Sequence, residues 1–298
     1  MKRTAEKSRS AIAALVCVFC SLTMAGAEEP ERAMPHHVNQ ADLEAGRWSS
    51  QQLVEAGRRL FVAKFTRADG VGRPAATGNP FPLRRRDVSK EIAFARGEGP
   101  DANSCASCHH DPFVGGAGDF AVNVFTGLGQ RTLPEHSIEL TLANERGTPA
   151  LHGSGLLELL AREITADLHQ IREQALHSAM KQDESVRVKL TSKGIDFGWL
   201  TAEPSGEIDT TQVEGIDRDL VIKPFGAKGV TTSLREFTIN AANLHHGMQA
   251  TERFGETLTG TNDFDQDGII DELSEGDITA LTIFQATLSC PGRRLPAS

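Results

Sequence analysis

Tyrosine is absent from this 298-residue sequence, and tryptophan occurs only twice. The first absence excludes a tyrosinate as a metal ligand. Cysteine is also scarce, with five in all. Cys17 and Cys20 lie near the N-terminus, which leaves Cys105, Cys108 and Cys290 for the body of the chain, too few for a disulfide framework. No apolar run reaches the roughly 20 residues of a spanning helix. The nearest, from Ala11 to Phe19, is broken by Cys20, Ser21 and Thr23. It follows Lys2, Arg3, Lys7 and Arg9 and ends in Ala25-Gly26-Ala27, so residues 1–27 read as a cleaved secretory signal peptide. A periplasmic or otherwise exported protein is expected, with no membrane span after cleavage. Positive charge is the minority sign, 31 basic against 40 acidic residues. The first 27 residues hold four of the basic and one of the acidic groups, so the net charge falls from −9 to −12 on cleavage. That balance argues against nucleic acid and anionic membrane as partners and suits a basic redox partner.

Residues 28–49 are polar, carry Pro30 and Pro35 and show no clear period, which reads as a loose, flexible leader. One domain is expected over 50–298. Leu53, Ala56, Leu60, Phe61 and Phe65 recur at helical spacing until Gly70, Gly72 and Pro74 stop the pattern. A longer helix is expected from Ser154, with Leu157, Leu160, Ile164, Leu168, Ile171 and Ala175 at spacings of three and four. Between 186 and 223 the period changes to two. Val186, Val188 and Leu190 alternate, Ser192-Lys193-Gly194 turns the chain, and Ile195, Phe197 and Trp199 alternate again, which predicts a small antiparallel β insert. Further helices are expected over about 232–244 and 275–289, the latter opened by a capping box of Ser274 and Asp277. The fold class expected is mainly α with that insert.

Cys105-Ala106-Ser107-Cys108-His109 is the C-x-x-C-H pattern of covalent haem c attachment. Two thiols three residues apart on one helical turn reach the two vinyl groups on one porphyrin edge, and the next residue brings an imidazole to the iron. Cys105 and Cys108 are thus the expected covalent anchors of one haem and His109 the proximal iron ligand. A zinc site would need a further ligand at ordinary spacing, and Cys290 stands alone. A thioredoxin-like pair would follow a strand, whereas Pro100–Ser104 reads as a polar loop. The opposite face of the iron decides between electron transfer and peroxide chemistry. Met248 is the expected distal candidate, beside His245 and His246, with Met180 and Met34 behind it.

The segment Cys105–Phe120 (CASCHHDPFVGGAGDF), followed by Thr148–Glu158 (TPALHGSGLLE), Lys223–Gly229 (KPFGAKG) and His245–Gln249 (HHGMQ), resembles the bacterial di-haem oxidoreductase family of peroxidase-like proteins, relatives of di-haem cytochrome c peroxidase. The likeness covers about Ser50 to Arg294 and implies a cytochrome c-like haem domain. Members carry two C-x-x-C-H sites, and this chain has one. The expectation is a naturally mono-haem variant or a product truncated near Cys290-Pro291-Gly292-Arg293-Arg294, the place where the family continues into its second haem module. In the peroxidase relatives one haem receives electrons and the other cleaves peroxide. A single haem would therefore need a redox partner protein or other electron donor for its second electron. The resemblance makes Glu158, in the GLLE segment, and Glu163, five residues on, the catalytic acid-base candidates, with the polar face of a helix as their other role. Three functions follow: a haem oxidoreductase acting on peroxide, a non-enzymatic mono-haem electron-transfer cytochrome, or an inactive truncated homologue.

Asp263-Phe264-Asp265-Gln266-Asp267-Gly268-Ile269-Ile270-Asp271-Glu272 matches the opening of a D-x-D-x-D-G calcium loop. Asp263, Asp265, Asp267 and Asp271 would supply carboxylates and Ile269 a backbone carbonyl, with Gly268 at the sharp turn. Position twelve is Ser274, so a bidentate ligand must come from Glu275, Glu272 or elsewhere. The alternative is an acidic surface turn, in which four close carboxylates repel one another.

Overall fold

A computed structural model of the chain describes residues 31–72, 102–123, 145–226 and 229–290. The signal-peptide reading and the last eight residues lie outside them. Helix α1 spans Gln40–Glu44 and α2 Ser50–Val62. The capping box of Ser49 and Gln52 starts α2, each side chain taking up the other's free backbone N–H. The helix stops at Val62, before Phe65, because the Phe65 N–H donates to Asn103 O at 2.9 Å and is committed to the loop that precedes the C-x-x-C-H residues.

Helix α2 packs against the last helix, α7 (Glu275–Ala286). The expected capping box of Ser274 and Asp277 opens α7. Gly57 allows the close crossing, since a Cβ there would lie 2.0 Å from Ala280 O. Leu60 and Phe61 are each 1% exposed in this cluster, with Ile278, Leu281 and Phe284 around them. Each such side chain stabilises the fold by about 1.5–3 kcal/mol. Helix α4 (Leu234–Ala241) borders the cluster and runs into a π turn, Ala242–His246. Two one-turn helices, α5 (Thr251–Phe254) and α6 (Glu256–Thr259), lead on to the acidic loop.

The second cluster lies between the long helix α3 (Ser154–Gln182) and a three-stranded antiparallel sheet of β3 (Val186–Ser192), β4 (Ile195–Ala202) and β5 (Ile208–Asp209). Ile164, Leu168, Ala175 and Ala179 of α3 meet Leu190, Phe197 and Leu200 of the sheet. Lys193 and Gly194 both have positive φ and close the hairpin as a two-residue turn. The expected alternation through Trp199 breaks at Gly198, where φ is +81°, and the phase shifts so that Trp199 turns out while Leu200 and Ala202 turn in. Upstream of α3, β1 (Gly118–Asn123) pairs antiparallel with β2 (Glu145–Thr148).

Two expectations are corrected. The described residues form a mixed helical and stranded protein with two small antiparallel sheets, so the mainly α class holds only in part; the β insert is present. The loose leader of 28–49 is, from residue 31 on, tied to the core. Backbone N–H groups of Ala33 and Met34 donate to Asp69, His37 Nδ1 and the Val38 N–H bond the buried Asp277, and Val38 itself is 5% exposed. These partners lie some 35 to 240 residues away, beyond the reach of a local pattern. No helix among the described residues is long and apolar enough to cross a membrane.

Candidate functional site

The C-x-x-C-H residues sit on a 3₁₀ turn, Cys105–Ser107, that leans on α2: the Ser104 hydroxyl donates to Phe61 O at 3.3 Å. The turn closes with the Cys108 and His109 N–H groups both donating to Cys105 O. None of the three described cysteines is in a disulfide, and Cys105 and Cys108 are half-buried, whereas Cys290 is exposed. Desolvation pushes the Cys105 thiol up to about 12, so the sulfur stays protonated.

His109 has a defined tautomer. Its Nδ1 lies 3.0 Å from Pro149 O and 3.3 Å from Gly116 O. A carbonyl only accepts, so Nδ1 carries the proton. Burial lowers the pKa of the ring and keeps it neutral, which leaves the lone pair on Nε2. Metal-bound histidines are oriented in this way, the second nitrogen donating to a carbonyl. Pro149 belongs to the Thr148–Glu158 segment, and the Leu151 N–H donates to Gly115 O at 2.9 Å, so that segment wraps the motif. Phe61 flanks the imidazole with a ring separation of 6.2 Å.

The π turn brings His246 against Cys105 and against Ala102, just before the motif. His246 Nδ1 is 2.6 Å from Ala102 O and its Nε2 is 3.5 Å from Cys105 Sγ. Gly247 holds this turn in place: φ is +73°, and a Cβ there would lie 2.3 Å from Gly72 O. The expected distal candidate Met248 is fully buried in the α2–α7 cluster that Cys105 and Ala106 border, in a packing position. Met180 is 60% exposed at the far end of α3, and Met34 is half-buried against the core.

Both candidate catalytic carboxylates are engaged elsewhere. Glu158 accepts the Leu234 N–H at 2.8 Å, capping α4, and pairs with Arg162 at 2.7 Å. Glu163 is exposed and pairs with Lys193 of the β3–β4 turn at 3.3 Å. The first turns of α3 expose Leu156, Leu157, Leu159 and Leu160. The helical spacing places Leu157 and Leu160 on the apolar face, yet after the buried Ser154 that face is covered again only from Ala161 and Ile164 onward.

The acidic loop brings ligand oxygens of Asp263, Asp265 and Asp267 within 4.8 Å of one another. No other group of three or more His, Cys, Asp or Glu is so arranged among the described residues. Asp265 is fully buried and neither carboxylate oxygen has a hydrogen-bond partner. Burial, then the charges of Asp267 and Asp263, push its carboxyl up to about 7. Glu272 faces the same loop, 5% exposed, and burial followed by the Asp265 charge pushes it up to about 10. Asp271, expected as a ligand, is exposed, and neither it nor the buried Glu272 belongs to the converging trio; Ile269 is half-buried in the loop.

Comparison with protein-family models, with curated proteins and with solved structures finds no match to this chain.

Proposed function

We propose that this chain is an exported c-type haem protein that moves electrons, with Cys105 and Cys108 holding the haem through thioethers and His109 Nε2 binding the iron. The observation that carries the reading is the His109 ring. Its Nδ1 is committed to the Pro149 carbonyl, which leaves the Nε2 lone pair for the iron, and it directly follows two half-buried cysteines outside any disulfide. A bound haem would supply a one-electron couple whose potential depends on the axial ligands and on burial. The residues of this chain fit that group. The cysteine spacing matches the vinyl edge, and the exposed leucines of α3 offer apolar surface within two turns of Leu151, which is hydrogen-bonded to the motif loop. The likeness to di-haem oxidoreductases points the same way, and export would deliver the chain to the compartment where covalent attachment occurs.

Electron transfer is favoured over peroxide cleavage because Glu158 is engaged by the Leu234 N–H and Arg162 and Glu163 by Lys193, contacts that a proton relay for O–O cleavage would have to give up. A pyridine haemochrome assay with intact mass on exported protein tests the reading. One covalent haem per chain is expected, lost on C105S/C108S. A chain of unmodified mass overturns it. A high-spin ferric spectrum that turns over peroxide would overturn the preference for electron transfer alone.

A further inference from the structure

The acidic loop after α6 contains a buried ligand that its own pattern leaves unsatisfied. Asp265 is 0% exposed, and both of its carboxylate oxygens lack any partner. A buried carboxylate without partners costs several kcal/mol unless it is neutralised. Its nearest ligand-bearing neighbours are the carboxylates of Asp263 and Asp267, all within 4.8 Å, so the orphaned oxygens point into a nest of oxygen ligands. Asp263 is fixed within the loop: its two oxygens accept the N–H groups of Asp267 at 3.1 Å and of Gly268 at 3.1 Å.

At the exit from the loop a fourth acid, the buried Glu272, lies outside the converging trio but near enough that, after burial itself, the charges of Asp265, Asp267 and Asp263 raise its carboxyl. Glu272 is 5% exposed and runs beside Gly70, whose Cβ, if it had one, would lie 2.3 Å from Glu272 Cδ. One of its oxygens, Oε2, accepts the Gln249 N–H at 2.9 Å. The next residue, Leu273, forms a parallel bridge with Ala250, and its N–H donates to Gln249 O at 3.2 Å. The loop is thereby stitched to the segment that leaves the π turn, three residues after His246. Ser274, at position twelve, is committed to capping α7.

We propose that Asp263, Asp265, Asp267, the Ile269 carbonyl and Glu272 form a calcium site in which Glu272 joins the cation to the backbone of Met248–Ala250. All donors are oxygens, and their number and unequal spacing on a loop suit the six to eight ligands and tolerant geometry of calcium better than the strict octahedron of magnesium. The cation neutralises the buried carboxylates and locks the loop exit against the segment that positions His246. This site is independent of the haem reading, because its residues and its ligand are distinct from those of the C-x-x-C-H turn.

The test is calcium titration of the chelator-treated full chain by calorimetry and by thermal unfolding, with magnesium as the control. One calcium per chain is expected, with a dissociation constant in the range of about 10⁻⁷ to 10⁻³ M. Saturation should raise Tm by about 5 °C. D265N should lose the response and, relieved of its buried charge, unfold at a higher temperature than calcium-free wild type. If D265N does not accumulate, D267N at the half-buried edge of the site serves instead. E272Q should bind about tenfold or more weakly, and calcium should slow hydrogen exchange at Gln249 in wild type but not in E272Q. Absence of heat and of any Tm change up to about 10 mM calcium overturns the site. Unchanged affinity in E272Q, with unaltered exchange at Gln249, overturns the role of Glu272, and equal affinity for magnesium overturns the choice of cation.

Discussion

Replacing Asp277 with Ala should be among the most damaging single changes in this chain. The carboxylate is fully buried and accepts from His37 Nδ1 at 2.6 Å, from the Val38 N–H at 2.8 Å and from the Ser274 N–H at 2.9 Å. Alanine leaves two backbone donors and one imidazole without their acceptor. Hydrogen bonds to a charged group contribute about 1.5–3 kcal/mol each, and breaking a buried charged pair costs about 3–5 kcal/mol. These overlap, so a total loss of about 3–5 kcal/mol is expected, a large share of the roughly 5–15 kcal/mol of a whole domain. Urea unfolding at fixed calcium concentration would read it as a lower midpoint at unchanged slope. D277N, which keeps one acceptor oxygen, should fall between. The pH dependence gives a second check. The hydrogen bond to Asp277, opposed by burial, raises the His37 pKa above its ordinary 6.5, with Arg32 lowering it and Asp271 raising it less. A raised pKa means that the folded state holds the proton more tightly. The resulting stabilisation is complete below about 6.5 and fades as pH climbs through the higher folded value. D277N and H37A should each flatten that slope. A midpoint shift worth less than about 1 kcal/mol in D277A, or an unchanged slope in D277N, would refute this account of how the 31–39 segment is held.

Gly247→Ala should cost about 2 kcal/mol or more, since φ is +73° and the new Cβ would lie 2.3 Å from Gly72 O; exchange of the His246 and Gly72 amides should rise with it. Glu158→Gln should lower stability by about 1–2 kcal/mol through the Leu234 N–H and Arg162 contacts, while leaving the spectrum of the proposed haem unchanged. A loss of peroxide turnover in that variant without loss of stability would return Glu158 to the chemistry. Leu168→Ala, at a fully buried position between α3 and the sheet, should cost about 2–5 kcal/mol with haem attachment intact.

What could be read without the structure was local. The helix from Ser154, the Ser274–Asp277 cap, the hairpin turn at Lys193-Gly194 and the converging Asp263, Asp265 and Asp267 are each specified by side chains within a few positions of one another, where periodicity and turn chemistry act directly. The C-x-x-C-H spacing is equally local, five consecutive residues, and the haem chemistry proposed for it rests on that spacing. Packing across the chain settled the rest. Pro149 fixes the tautomer of His109 from 40 positions away, His246 reaches Cys105 across 141, and Glu272 rather than Asp271 faces the acidic loop because Gln249 and Gly70 hold it there. The residues before α2 looked structureless because their partners, Asp69 just past α2 and Asp277 on α7, are far away in sequence and become neighbours only in the folded chain. A chain's own pattern states which groups need a partner; which partner arrives depends on how the helices close, and that depends on all of the buried surface at once.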